Sequence, residues 1–387
     1  MTDPSLIHAV DATGPVTHAF IVGMGDYPHL KGGSGARAIW DFNLGQLTST
    51  TASARRIASW LIENFECPHR PLASVRLVLS EPGNAPASFR NPSSGETFEV
   101  PRGTRLETRD ALLAALRAVT DPDDQLLFYF AGHGLAGGVN NFYLLRDFGS
   151  DPNGPLDNMI KYSVFMAALG TQMPTQQMLV FDGCRDVDEK VEANRMGGSG
   201  LIPADPGIRS GIEFPVLQCS ILSAERDSKS YGPRGRPSVC AQAFERALDG
   251  AAGKSSRDGW IITSGRLCEA MADFQTLGFG PNSGIVQRPD PAAYKDFPLR
   301  GLAGPPRVPV FMQRRDGQSL EGAQVTCTAL NGQPTPAETV EHSYWEGRLP
   351  IGFHSFDVVL ADQSRCRTVE DAVSPTHLPI DLDVEVP

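Results

Sequence analysis

Along the first 250 residues, short runs rich in apolar residues on both alternating faces are interleaved with stretches in which apolar residues recur every three or four positions. The short runs are "HAFIVGMGDY" (18–27), "ASVRLVLS" (73–80), "QLLFYFAG" (125–132), "QMLVFDG" (177–183) and "PVLQCSILSA" (215–224). Runs of this length with apolar residues on both faces predict strands covered on both sides. Between them, "TASARRIASWLIENF" (51–65) sets Ile57, Trp60, Leu61 and Phe65 at helical spacing, and "TRDALLAALRAV" (108–119) predicts a second helix capped by Thr108 with Asp110 in its first turn. A helical stretch around "YSVFMAALGT" leads into the fourth run, and "SVCAQAFERALDG" (238–250) follows the fifth. Residues 81–103, rich in Pro, Gly, Asn and Ser, predict a surface loop. The alternation predicts an α/β fold with a mainly parallel sheet flanked by helices. In such sheets chemistry gathers beyond the carboxyl ends of the strands.

The pattern changes after "RPDPAAYKDFPLRGLAGPPRVP" (288–309), whose Pro and Gly content predicts a linker over 288–305. Beyond it, "VPVFMQRRDG", "AQVTCTALNG", "GRLPIGFHSFDVVLAD" and "LPIDLDVEV" are short strand patterns separated by turn residues, with no helical period. They predict a small all-β, sandwich-like domain over 306–387. Residues 1–17 are expected to be an N-terminal extension, and no internal repeat or low-complexity tract interrupts the chain.

Composition narrows the function classes. A length of 387 residues suggests two or three domains, and 41% hydrophobic with 20% charged residues is enough to bury a sizeable core. A net charge of -11 without clustered Lys or Arg argues against a nucleic-acid partner. No apolar run reaches eighteen residues, and the N-terminus lacks a basic, then apolar leader, so no membrane association and a cytoplasmic location are expected. Seven dispersed cysteines, Cys67, Cys184, Cys219, Cys240, Cys268, Cys327 and Cys366, form no CxxC pair, which fits reduced thiols better than disulfides or zinc. Neither a G-x-S-x-G elbow nor a phosphate or dinucleotide loop is present.

Two of the strands end in reactive side chains, "LLFYFAGHG" (126–134) in His133 and "LVFDGCRD" (179–186) in Cys184. A lone histidine is more often structural and a lone cysteine more often part of a core. Both stand at the carboxyl end of an apolar strand, however, beside glycines that allow close backbone approach, and a thiol becomes a useful nucleophile when a base is near. The two are candidates for a Cys-His dyad.

These two stretches resemble the histidine and cysteine strands of the caspase-like cysteine peptidases, the clan of caspases, metacaspases and paracaspases, here in the manner of a bacterial homologue. The residues are 51 positions apart (184 minus 133), against about 50 in caspases. "AFIVGMGDYPHL" is similar to the family's first strand, and "VLQCSILSAERDSKSYG" with "AQAFERAL" to its small-subunit strand and helix. The resemblance covers roughly 18–250 and implies a peptidase domain over 18–287, made of a large-subunit part (18–186), an intersubunit linker (187–214) and a small-subunit part (215–287). It implies attack by Cys184, protonation of the leaving amine by His133, and an oxyanion held by the amides of Gly134 and Cys184.

Asp182 matches the Asp-x-Cys of metacaspases, and Asp227 aligns with an acidic position of their small-subunit segment. Ser53 stands where the family often has aspartate. Carboxylates around one pocket favour a substrate cation, so cleavage after Arg, ahead of Lys, is expected. The alternative is cleavage after Asp, with Arg226 facing the pocket. Arg195 and Arg209, in the exposed linker, are candidate self-processing sites of a zymogen. No cofactor is expected; calcium, which some metacaspases bind, is left open, since Asp186, Asp188 and Glu189 form no recognisable oxygen cage. The expected partners are protein substrates and an upstream protease or regulator, in a stress, cell-death or defence setting, and the chain is expected to be a monomer. The rival from another class is a non-catalytic adaptor on the same fold.

Overall fold

The computed structural model describes residues 3–83, 85–193, 198–203, 216–277, 287–293, 295–330, 332–367, 371–375 and 379–383. In chain order the elements begin with strands β1 (Leu6–Ala9) and β2 (Thr17–Met24), helix α1 (Ser49–Asn64), β3 (Leu72–Ser80), the hairpin β4 (Ala87–Arg90) and β5 (Thr97–Val100), and α2 (Arg105–Ala118). They continue with β6 (Gln125–Ala131), β7 (Gly134–Gly137), β8 (Asn140–Leu144), β9 (Met159–Lys161), α3 (Tyr162–Leu169), β10 (Gln176–Asp182), β11 (Asp186–Val187), α4 (Glu189–Ala193) and β12 (Leu217–Leu222). Then come α5 (Val239–Arg246), running into a π turn at Ala247–Ala251, β13 (Gly253–Ser256), β14 (Gly259–Thr263), α6 (Ser264–Leu277), β15 (Asp290–Ala293) and β16 (Pro298–Leu302).

The fold is mixed α/β around a seven-stranded sheet of order β1-β3-β2-β6-β10-β12-β15. All five strands expected from the sequence lie in it. The five inner strands run parallel, and β1 and β15 close the edges antiparallel, so residues 6–9, expected in an N-terminal extension, belong instead to the central sheet through their pairing with β3. Each inner strand alternates between two cores, which is why apolar residues fall on both of its faces. On one face Ile21, Leu77, Tyr129, Val180 and Ile221 pack with Trp60 and Leu61 of α1, Phe244 of α5 and Met271 of α6. On the other, Phe20, Val78, Phe128, Phe130 and Phe181 pack with Leu112 and Leu116 of α2 and Phe165 of α3. Full burial of each such side chain stabilises the sheet by about 1.5–3 kcal/mol.

The structure corrects three further local expectations. Helix α2 starts earlier than predicted: Thr104, not Thr108, is its cap, and Thr104 with Glu107 forms a reciprocal capping box. The 81–103 segment contains the β4–β5 hairpin. The 288–305 stretch is no linker, because β15 pairs with β12 and β16 with β14. Its side chains explain the anchoring. Arg300 is buried, stacks on Trp60 and Phe65 at 5.3 and 5.7 Å, and donates to the carbonyls of Asn64 and Leu248 at 2.6 and 2.5 Å. A cation this well satisfied holds the chain against the end of α1.

Among the described residues from β17 (Arg307–Arg314) on there are only strands: β18 (Gln324–Ala329), β19 (Glu338–Thr339), β20 (Trp345–Pro350), β21 (Gly352–Val359), β22 (Arg365–Arg367), β23 (Asp371–Val373) and β24 (Ile380–Leu382). They form a sheet of order β20-β17-β24 and a five-stranded one centred on β18 and β21. Val308, Val310 and Met312 of the first pack with Val325, Phe356 and Val358 of the second in a separate core. Arg246 of α5 joins this part to the rest, lying 4.9 Å over the Phe311 ring and 2.9 Å from Glu346.

Candidate active site

Strand register brings the two reactive residues level. Asp182 of β10 pairs with Ala131 of β6, so Cys184 and His133 each stand two positions beyond the same rung. The turns that carry them interlock: Gly132 N donates to Asp182 O at 3.1 Å. A side chain at Gly134 would overlap the Cys184 carbonyl oxygen, and one at Gly183 would stand 2.8 Å from Gly132 O. Glycine is required at both positions for this close approach rather than for an unusual backbone angle.

His133 and Cys184 line one cleft of about 210 Å³, together with Leu44, Leu47, Ser49, Thr50, Gly132, Asp182, Asp186 and the 229–232 segment. The His133 ring is 8% exposed and lies 4.9 Å from the Tyr27 ring. Its Nε2 is 2.7 Å from the Gly45 carbonyl, which can only accept, so Nε2 carries the proton and Nδ1 is left as the basic nitrogen. Its backbone N–H donates to Tyr27 Oη at 2.9 Å. Burial lowers the imidazole to about 4, against the pull of Gly45, and therefore keeps it neutral.

Cys184 is the one cysteine of the seven that is not fully buried. Its Sγ accepts from Ser230 N at 3.3 Å and lies 3.7 Å from Ser230 O. Burial pushes the thiol up to about 11; the Ser230 amide opposes this, and the nearby charges of Asp186 and Asp182 add to it. Both shifts favour the uncharged forms, a thiol and a neutral imidazole lining the same cleft.

Asp182 is only 4% exposed. One oxygen accepts from Ser230 Oγ at 2.8 Å, and the other from Tyr129 Oη at 2.8 Å and from the Ser238 hydroxyl. Burial raises this carboxyl, while the three hydroxyls favour its charged form. It forms a wall of the cleft, not a solvated rim. Ser53 is fully buried behind that wall, where its Oγ receives Ser238 N at 2.9 Å. Asp227 is exposed and is not among the described residues lining the cleft; its backbone, at φ 60, donates to Arg185 O at 3.0 Å, and its charge adds to burial in raising the carboxyl of Asp186. Arg226 donates to the Gly138 carbonyl. Among the described residues the cation that lines the cleft is Lys229. Arg195 and Arg209 lie outside the described residues. Among the described residues no three His, Cys, Asp or Glu side chains gather as a metal site, and no helix is long and apolar enough to cross a membrane.

Several residues that sequence reasoning passed over hold the site. Gly45 fixes the imidazole and Tyr27 the turn that bears it. Arg185 is buried, donating to Asn141 Oδ1 at 2.9 Å, the Ala224 carbonyl at 3.1 Å and Asp290 at 2.6 Å. Being next to Cys184 was its only sequence signal.

No family model matches the chain. An uncharacterized protein, y4kE, of Sinorhizobium fredii is 22% identical over 237 residues, a match that takes in 58% of this chain and 63% of that protein. The chain thus spans less than two thirds of the length of this curated relative. Among solved structures, caspase-1 from Spodoptera frugiperda is similar with a TM-score of 0.38 and 12% identity, covering 77% of this chain and 95% of that one.

Proposed function

We propose that the chain is a caspase-like cysteine endopeptidase that cuts after a basic residue. The observation that carries this reading is the single cleft that holds a thiol, an imidazole with a fixed tautomer, and a buried carboxylate. With both partners neutral at rest, attack is coupled to proton transfer. As Cys184 Sγ bonds to the scissile carbonyl carbon, its proton passes to His133 Nδ1. His133 then gives that proton to the leaving amine as the C–N bond breaks. A water, deprotonated by the same nitrogen, hydrolyses the acyl-enzyme and regenerates the thiol. The amides of Gly134 and Cys184, on the two interlocked turns, are the donors assigned to the oxyanion.

For the residue before the cut bond, the charged side chains lining the cleft among the described residues are Asp182, Asp186 and Lys229, a net charge of -1 when all three are ionised. A guanidinium entering there meets a carboxylate already removed from water, where a charge-assisted hydrogen bond is strongest. Arg is favoured over Lys for its reach and paired geometry. Lys229 favours a second reading, cleavage after Asp, if its ammonium turns inward. Arg195 and Arg209 are assigned as self-processing sites on the strength of this preference.

An irreversible peptidyl-arginine acyloxymethyl ketone tests the reading. It is expected to attach to Cys184, located by peptide mass spectrometry, and to leave His133→Ala unlabelled. Labelling confined to an aspartyl analogue would transfer the assignment to the second reading, and labelling by neither would sink both.

A further inference from the structure

Gln287 lies outside the cleft, yet its amide touches the groups that grip all three residues of the Asp182–Gly183–Cys184 turn. It is 1% exposed, and its Oε1 accepts from Tyr231 N at 2.9 Å. Its Nε2 donates to Ser223 O at 2.8 Å and has two further acceptors at 3.3 Å, Ser230 Oγ and Gln275 Oε1. The roles follow from proton counting. The single hydroxyl proton of Ser230 goes to Asp182, so Ser230 Oγ must accept from Gln287. Ser223 Oγ in turn receives Gly183 N at 3.0 Å. Ser230 N reaches Cys184 Sγ at 3.3 Å. One side-chain amide thereby fixes the end of β12, the 230–231 backbone and, through Ser230, both the carboxylate and the thiol.

We propose that Gln287 is the positioning residue that sets Cys184 and Asp182 in mutual register, by clamping the 230–231 segment to the end of β12. The part concerning Cys184 stands on the hydrogen bonds alone; the part concerning substrate choice rests on the peptidase reading above. A side chain at 287 must both accept from Tyr231 and donate to Ser223 and Ser230. Leucine keeps the volume and does neither, whereas glutamate keeps the acceptor and loses the donors. Either change leaves a buried polar backbone group without its partner.

The test uses the full chain with Gln287→Leu and Gln287→Glu, after circular dichroism and thermal melts show that each is folded. Three readouts apply. Iodoacetamide labelling of Cys184 as a function of pH is expected to shift upward by at least half a pH unit in both variants, because the Ser230 amide no longer faces the sulfur. The preference for Arg over uncharged citrulline before the cut bond is expected to fall about tenfold, a loss of about 1.4 kcal/mol, close to one hydrogen bond. The Tyr231 amide of the unaltered protein is expected to be protected from hydrogen exchange. A merely structural role would lower the melting temperature and leave the first two readouts where they were, which would overturn the proposal. An unprotected Tyr231 amide would overturn it without any variant. If no peptide is cut but the labelling profile shifts, the positioning role holds and the peptidase reading fails.

Discussion

A neutral thiol–imidazole pair has a kinetic signature that can be worked out in advance. With the Cys184 thiol pushed up to about 11 from an ordinary 9, its thiolate fraction near neutral pH is about a hundredfold lower than that of a free cysteine. A more basic thiolate is also more nucleophilic, with a Brønsted slope near 0.45, which returns roughly eightfold over two units. The net expectation is alkylation about tenfold slower than that of a free thiol at pH 7.5, rising close to tenfold per pH unit from pH 8 to 10. His133, lowered to about 4, supplies no imidazolium to stabilise the anion across that range. The assay is iodoacetamide labelling followed by peptide mass spectrometry, with Cys184→Ser as the blank for the six buried cysteines. A plateau between pH 5 and 8, with a rate at pH 7.5 above that of free cysteine, would show an ion pair and refute the reasoning.

Three further outcomes follow from the same geometry. Because the His133 imidazole is lowered in the fold, its contribution to stability is full above its unfolded value near 6.5 and is lost as pH falls towards 4; the total is about 3 kcal/mol, and urea melts at pH 7 and 4.5 should show a smaller loss for His133→Asn than for the unaltered protein. Gly134→Ala, whose methyl would meet the Cys184 carbonyl, should cost about 1–3 kcal/mol and abolish labelling by the peptidyl ketone, and an unchanged melting temperature would show that the turns can separate freely. Arg246→Ala removes the stacking on Phe311 and the pair with Glu346, and should loosen the β17–β24 part by about 1–2 kcal/mol, seen as earlier hydrogen exchange in that part alone.

How much the sequence discloses depends on how local each cause is. The five inner strands were legible because burial on both faces leaves apolar residues at successive positions, and the strand ends pointed to His133 and Cys184 for the same reason. The edge strand β15 and the neighbouring β16 were not legible. They are four and five residues long and contain Pro or Gly, and what anchors them is distant in sequence, as with Asp290 to Arg185 and Arg300 to Asn64. Asp182 was recognised by position, but its burial among Tyr129, Ser230 and Ser238 depends on residues up to 56 positions away. Gln287, four separate contacts in a stretch with no motif, left no trace in the sequence. Ser53 shows the limit of alignment by resemblance: it sits at the expected place yet supports Ser238 instead of facing the cleft.

The central claim is that Cys184 cuts peptide bonds after a basic residue, and its most direct test is hydrolysis of fluorogenic peptides that differ only in ending with Arg, Lys or Asp. The account predicts fastest release after Arg, slower release after Lys, none after Asp, and none with any peptide for Cys184→Ala. Release after Asp alone, or equal release by Cys184→Ala, would contradict it.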